Sequence, residues 1–176
     1  MSVLRPSNRT PTFPFRLKLL LFLVLLLGVF IHRYTRQAPS DQSEPWPGNT
    51  YLIIEQASGR PIVRNKDGGI ALGNPSETST NPAHSRWQCV EANNHFGFQN
   101  PQSGRYLGHD GGDRTQATAW ELNEWEYIMW RPHPKGGFQL LSPFWMHSLK
   151  LYIVSEDGNG LVRRMHGTTL FEFKKL

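Results

Sequence analysis

Six histidines follow residue 46: His84, His95, His109, His133, His147 and His166. An imidazole holds a metal or moves a proton only with partners at the right separation. None of the six stands at a metal-ligand spacing from another or from Cys89, so neither a metal nor any other cofactor is expected. His109-Asp110 has the composition of a base with its orienting carboxylate. That aspartate, however, opens Asp110-Gly111-Gly112, and Asp67-Gly68-Gly69 and Asp157-Gly158-Asn159 repeat the pattern. A unique catalytic centre would not recur three times, whereas an Asp side chain that bonds the backbone two residues on explains all three as turns.

Two further groups have chemistry to offer. Glu121, Glu124 and Glu126 lie among Trp120, Trp125 and Trp130. Carboxylates beside exposed indoles bind sugars; a solvated strand face is the simpler reading. Phe144-Trp145-Met146 is an apolar trio where related segments carry Gln102-Ser103-Gly104 or Ala57-Ser58-Gly59. It is a candidate contact for a partner or a membrane, or a filler for the mouth of a barrel. Cys89, in Trp87-Gln88-Cys89-Val90, reads as a small buried hydrophobe, and a single cysteine allows no internal disulfide. Gly108 to Gly112 is glycine-rich but no apolar helix follows, which excludes a phosphate cradle. No nucleophile elbow is present. The residues describe a binding protein and not an enzyme.

The elements that carry these groups repeat. Phe98 to Gly112 reads as strand, turn, strand, turn. Ile54 to Gly69 says nearly the same, and Leu140 to Gly160 is a longer, degraded version. The copies start near Tyr51, Phe96 and Phe138, so the periods are 45 and 42 residues. One such unit cannot bury its apolar face alone and needs its neighbours. A propeller needs at least four blades. Three copies of about four short strands therefore predict an all-β fold, a β-trefoil of three four-stranded repeats. The expected inward residues are Leu52, Ile54, Trp87, Cys89, Phe98, Leu107, Trp125, Tyr127, Leu140, Ile153, Phe171 and Phe173, with the choice within each alternating pair open by one residue.

The middle copy, Phe98-Gln-Asn-Pro-Gln-Ser-Gly-Arg-Tyr-Leu-Gly-His-Asp-Gly, resembles the repeat of fascin and other actin-cross-linking-like β-trefoils, and the fungal fascin-like trefoil proteins. The resemblance spans roughly Thr50 to Leu176. It implies the trefoil fold and raises actin as a partner. No actin-binding residue carries over, because such contacts need several trefoils or a specific basic surface. The Gln-x-Trp of ricin-type lectin trefoils is absent.

Charge and hydropathy place the domain. The chain has 19 Lys and Arg against 14 Asp and Glu. Six basic and two acidic residues precede Trp46; 13 basic and 12 acidic follow, so the folded part is nearly neutral. A nucleic-acid binder carries its excess on the folded module, so nucleic acid is excluded as a partner. Residues 1–16 form a basic tail. Residues 17–34, with Leu17, Leu19, Leu23, Leu27 and Ile31, read as a transmembrane signal anchor. A span takes about 20 residues. Arg16 and Lys18 can snorkel, and Phe13, Phe15 and Tyr34 can anchor at the interface. A cleaved signal peptide competes, but bulky and basic residues follow the apolar run where a small-residue site belongs. Residues 35–49 form a proline-containing stalk, and 50–176 the trefoil. Four basic residues before the uncharged run 19–31 (Arg5, Arg9, Arg16, Lys18), against two after it (Arg33, Arg36), put the N-terminus in the cytoplasm. The sequence thus predicts a single-pass protein of the secretory pathway that displays a glycan- or protein-binding module on the non-cytoplasmic side. The alternative is a cytoplasm-facing, fascin-like trefoil that binds actin filaments at a membrane.

Overall fold

The computed structural model describes residues 44–76 and 82–176. The run expected to cross the bilayer, with Leu17, Leu19, Leu23, Leu27 and Ile31, lies outside them. Among the described residues no helix is long and apolar enough to cross a membrane.

Twelve strands fall into three sets of four. The first set is β1 (Thr50–Glu55), β2 (Arg60–Arg64), β3 (Ile70–Leu72) and β4 (Arg86–Ala92). The second is β5 (His95–Asn100), β6 (Arg105–His109), β7 (Thr115–Ala119) and β8 (Met129–Pro132). The third is β9 (Phe138–Pro143), β10 (Leu149–Val154), β11 (Leu161–Arg164) and β12 (Phe171–Lys175). The first and last strand of each set form a ring. β1 pairs with β12 and β4, β4 with β5, β8 with β9, and β9 with β12, all antiparallel. Between β5 and β8 a single Ile128 N–H to Phe96 carbonyl bond of 2.9 Å closes the circle. The middle strands of each set form three hairpins that cap it.

The threefold pattern reaches single hydrogen bonds. Each cap turn has its Asp carboxylate accepting from the backbone two residues on: Asp67 from Gly69, Asp110 from Gly112 and Asp157 from Asn159, at 3.0, 2.9 and 3.1 Å. Gly68, Gly111 and Gly158 follow with φ of 90°, 84° and 72°, a region where a Cβ is penalised. The caps are then tied head to tail. Leu72 N–H donates to the Asn159 carbonyl, Ala117 to Gly68 and Arg163 to Asp113. The short-range chemistry of three turns thus fixes how three distant segments meet.

The interior is aromatic. Phe173 packs against Phe98, Phe138, Trp130 and Tyr51, with ring centroids 5.3 to 6.2 Å apart. Trp87 is fully buried, and its indole N–H donates to the Ile62 carbonyl. Burying such a side chain contributes about 1.5–3 kcal/mol. Burial pushes the Cys89 thiol up to about 12, so it serves as a core atom and not a nucleophile.

The inward set differs from the expected one at two strands. Tyr51 and Ile53 point in where Leu52 and Ile54 were expected, and Tyr152 takes the place of Ile153. Both runs are apolar at every position, so alternation carries no phase there. Trp125 and Tyr127 were expected inside a strand. They lie instead on an irregular connection before β8, where Leu122, Glu126 and Ile128 are the buried residues.

Candidate functional site

That connection, residues 120–128, is pulled across the second repeat by two glycines. A Cβ at Gly97 would come within 2.3 Å of Leu122, and one at Gly108 within 2.5 Å of the Trp125 carbonyl. With no side chain on either strand at those points, the connection lies flat on β5 and β6. Leu122 and Glu126 are thereby buried and Trp125 is presented, about half exposed. Burial raises the Glu126 carboxyl pKa and so favours its neutral form.

Trp125 forms one wall of a cleft of about 550 Å³ between the second and third repeats. Its indole rests on Gly111 and lies 5.8 Å from the His109 ring. Beside it Tyr127 stacks on His95, with centroids 3.9 Å apart and planes 10° off parallel. The facing wall is the β9–β10 hairpin, with Pro143, Phe144 and Trp145. Arg163 and His109 complete the lining, with Glu124 as the acidic residue of the cleft.

Hydrogen bonds fix both imidazoles. His95 Nδ1 lies 2.8 Å from the Asn93 carbonyl, which can only accept, so this nitrogen carries a proton. His109 Nδ1 accepts from Gly111 N–H at 3.0 Å, so the proton of its neutral ring is on Nε2. Burial, and then the Arg163 guanidinium, pull the His109 pKa down to about 4. His109 is therefore neutral at pH 7. Among the described residues Nδ1 is taken by Gly111 and Nε2 has no hydrogen-bond partner.

Arg163 is 1% exposed. Its Nε donates to the Gly112 carbonyl at 3.1 Å, as does one terminal nitrogen; the other donates to Ser142 Oγ at 2.9 Å and to the Pro143 carbonyl at 3.4 Å. Burial pulls its pKa down from the usual guanidinium range, though not far enough to discharge an arginine at pH 7. Asp113 is bound by Lys150 at 2.6 Å and by Arg164 at 3.0 Å. The Lys150 hydrogen bond, foremost among these contacts, holds the Asp113 carboxyl below its ordinary range.

The hairpin is unusual in its backbone. Its turn residues Met146 and His147 have φ of 53° and 64°, like Asn93 and Asn94 in the β4–β5 turn. Asn tolerates that conformation; a bulky residue there is strained. Trp145 and Met146 are 77% and 81% exposed. The expected apolar trio thus stands on the surface and does not plug the barrel. Its first two members line the cleft. The other expected positions have different roles: Asp67, Gly68, Asp110, Gly111, Asp157 and Gly158 build the caps, and Gly111 also supports Trp125. Of the acidic cluster, Glu124 lines the cleft, Glu126 is buried and Glu121 is exposed. Trp120 lies apart, covered by Arg105 at 3.1 Å from its ring centre. Nothing in the local sequence pairs His109 with Arg163. The signal for Arg163 was its position in the repeat, opposite Leu72 and Ala117.

The arrangement suits recognition: aromatic faces to stack on a flat apolar ligand surface, and fixed donors for its oxygen atoms. A second, more open depression between the first and third caps, lined by Asn65, Ile70, Ser155, Asp157 and Arg164, has no aromatic wall. Among the described residues no three His, Cys, Asp or Glu side chains converge to hold a metal.

No family model matches this chain, and no curated protein sequence does. Solved structures do. One is a GlcNAcα1-4Gal-releasing endo-β-galactosidase from Clostridium perfringens, with TM-score 0.61, 14% identity, and coverage of 73% of this chain and 33% of that one. A GH43 β-1,3-galactosidase follows, with TM-score 0.58, 15% identity, and coverage of 77% and 28%. The chain thus spans a third or less of the length of either enzyme. ThreeFoil, a designed three-fold symmetric protein, matches with TM-score 0.58 at 12% identity, over 72% of this chain and 99% of that one. At such identities the likeness concerns fold alone. The chain carries a trefoil-like, all-β domain of three repeats.

Proposed function

We propose that the chain is a non-enzymatic, membrane-anchored binding module whose cleft between the second and third repeats takes a glycan on the non-cytoplasmic side of a secretory-pathway membrane. The aromatic-walled cleft carries this reading. Trp125, Tyr127 with His95, and Trp145 offer ring faces at separate points around one concavity, and His109 and Glu124 offer a donor and an acceptor. A sugar has an apolar ring face and a rim of hydroxyls, and this lining complements both. Two of the structural matches are galactosidases, which supports a sugar as the ligand class. Residues 17–34 supply the anchor, and the flanking charges its orientation. The fascin-like resemblance of the middle repeat belongs to the same fold, but the nearly neutral charge of the domain, 13 basic against 12 acidic residues, does not favour the actin reading.

Two measurements test the proposal. A glycan array probed with the full-length chain should give binding that Trp125→Ala weakens about 30-fold or more, as truncating a central interface tryptophan does. Silence on the array, or equal binding by the variant, refutes the cleft. In sealed microsomes the domain should resist added protease; digestion would place it on the cytoplasmic side.

A further inference from the structure

Threefold symmetry singles out one residue. Leu72, Ala117 and Arg163 occupy one pseudo-equivalent place, each tied by its N–H to the neighbouring cap. The first two are core side chains. The third puts a cation there, buried as deeply as they are. A buried charge costs several kcal/mol unless it is paired. Arg163 meets only neutral acceptors: the Gly112 and Pro143 carbonyls and the Ser142 hydroxyl. The carboxylates whose fields reach it, Asp113 and Asp110, are engaged elsewhere, by Lys150 and Arg164 and by the Gly112 N–H.

His109 is the second incomplete group. It is 3% exposed, its Nδ1 is occupied, and the Nε2–H that must carry its proton has no acceptor. A buried donor left unmatched costs about 1–3 kcal/mol. Both residues line the same cleft, and an oxyanion there would satisfy the donor and compensate the cation together.

We infer that the ligand is an acidic sugar whose carboxylate or sulfate oxygens accept from His109 Nε2–H and face the Arg163 guanidinium. This rests on the glycan reading above. The groups of opposite sense are accounted for. Glu126 is buried, with its pKa raised. Glu124 is exposed, where solvent screens it, and serves ligand hydroxyls. The walls take the sugar ring, and the floor reads its acid group.

The test titrates the full-length chain, in mild detergent, with lactose, sialyllactose and lactose 3-sulfate by calorimetry. Arg163→Leu installs the residue of the first repeat, so the fold should hold and its melting temperature stay level or rise. At least one acidic sugar should bind about tenfold or more tighter than lactose, and the variant should erase that margin. A margin for one acid alone assigns carboxylate or sulfate. Should Arg163→Leu not fold, His109→Asn makes the same comparison, since its Oδ1 can still accept from Gly111. Equal affinity for neutral and acidic sugars overturns the inference and leaves the glycan reading standing. Binding to none of them overturns both.

Discussion

His109 makes the protein's stability depend on pH in a way that can be dissected. Burial holds its folded-state pKa near 4, against 6.5 for a free imidazole. The unfolded chain therefore takes up a proton between those values that the folded one refuses. Stability from this residue is fully present above pH 6.5 and is lost as pH falls towards 4. The whole shift is worth about 3 kcal/mol, and about 2 kcal/mol of it should vanish between pH 7 and pH 4.5. Below pH 4 both states are protonated and the loss stops. Arg163 adds to the effect and Asp110 opposes it, so the fall belongs to the cluster as assembled. Other carboxylates titrate in the same range, and a single curve would confound them. The informative quantity is a difference. His109→Asn keeps an acceptor for Gly111 but has no titrating group. Urea unfolding of both proteins at pH 7 and pH 4.5, followed by tryptophan fluorescence, should show the wild type losing about 2 kcal/mol more than the variant. Equal losses would mean that His109 is not buried as a neutral ring, and the tautomer argument would fall with it.

Three other outcomes follow from the same geometry. Gly108→Ala drives a methyl into the Trp125 carbonyl, 2.5 Å away; it should cost about 1–3 kcal/mol in urea unfolding and weaken glycan binding by moving the cleft wall. Met146→Asn with His147→Gly relieves two strained turn residues; it should stabilise the protein by about 1–3 kcal/mol, read as a raised melting temperature, with an unchanged circular dichroism spectrum. Actin filaments should not pellet the chain in co-sedimentation, and pelleting would restore the fascin-like alternative.

The parts of the fold legible in the sequence are those fixed by local chemistry. An Asp followed by Gly bonds its own backbone and admits positive φ, so Asp67, Asp110 and Asp157 announce three equivalent turns wherever the rest of the chain goes. Phase was legible only where polar and apolar residues alternate, as in Arg86-Trp87-Gln88-Cys89. Tyr51-Leu52-Ile53-Ile54 and Leu151-Tyr152-Ile153-Val154 offer apolar side chains to both faces, and burial is settled by neighbours distant in sequence. Trp125-Glu126-Tyr127-Ile128 alternates like a strand yet is not one. Gly97 and Gly108, twenty-eight and seventeen residues upstream of Trp125, leave the bare backbone on which it lies. Arg163 stands beside Arg164 and reads as a solvated basic pair. Only superposing the repeats shows it in a core position, and nothing local distinguishes it from its exposed neighbour.

The claim that one of three pseudo-equivalent faces has become the binding site is tested most directly by hydrogen exchange on the full-length chain with and without its bound glycan. Added protection should fall on residues 95–97, 108–113, 123–128 and 142–148, with the corresponding faces of the other repeats unchanged. Protection spread evenly over all three repeats, or centred on Trp120 and Arg105, would contradict the account.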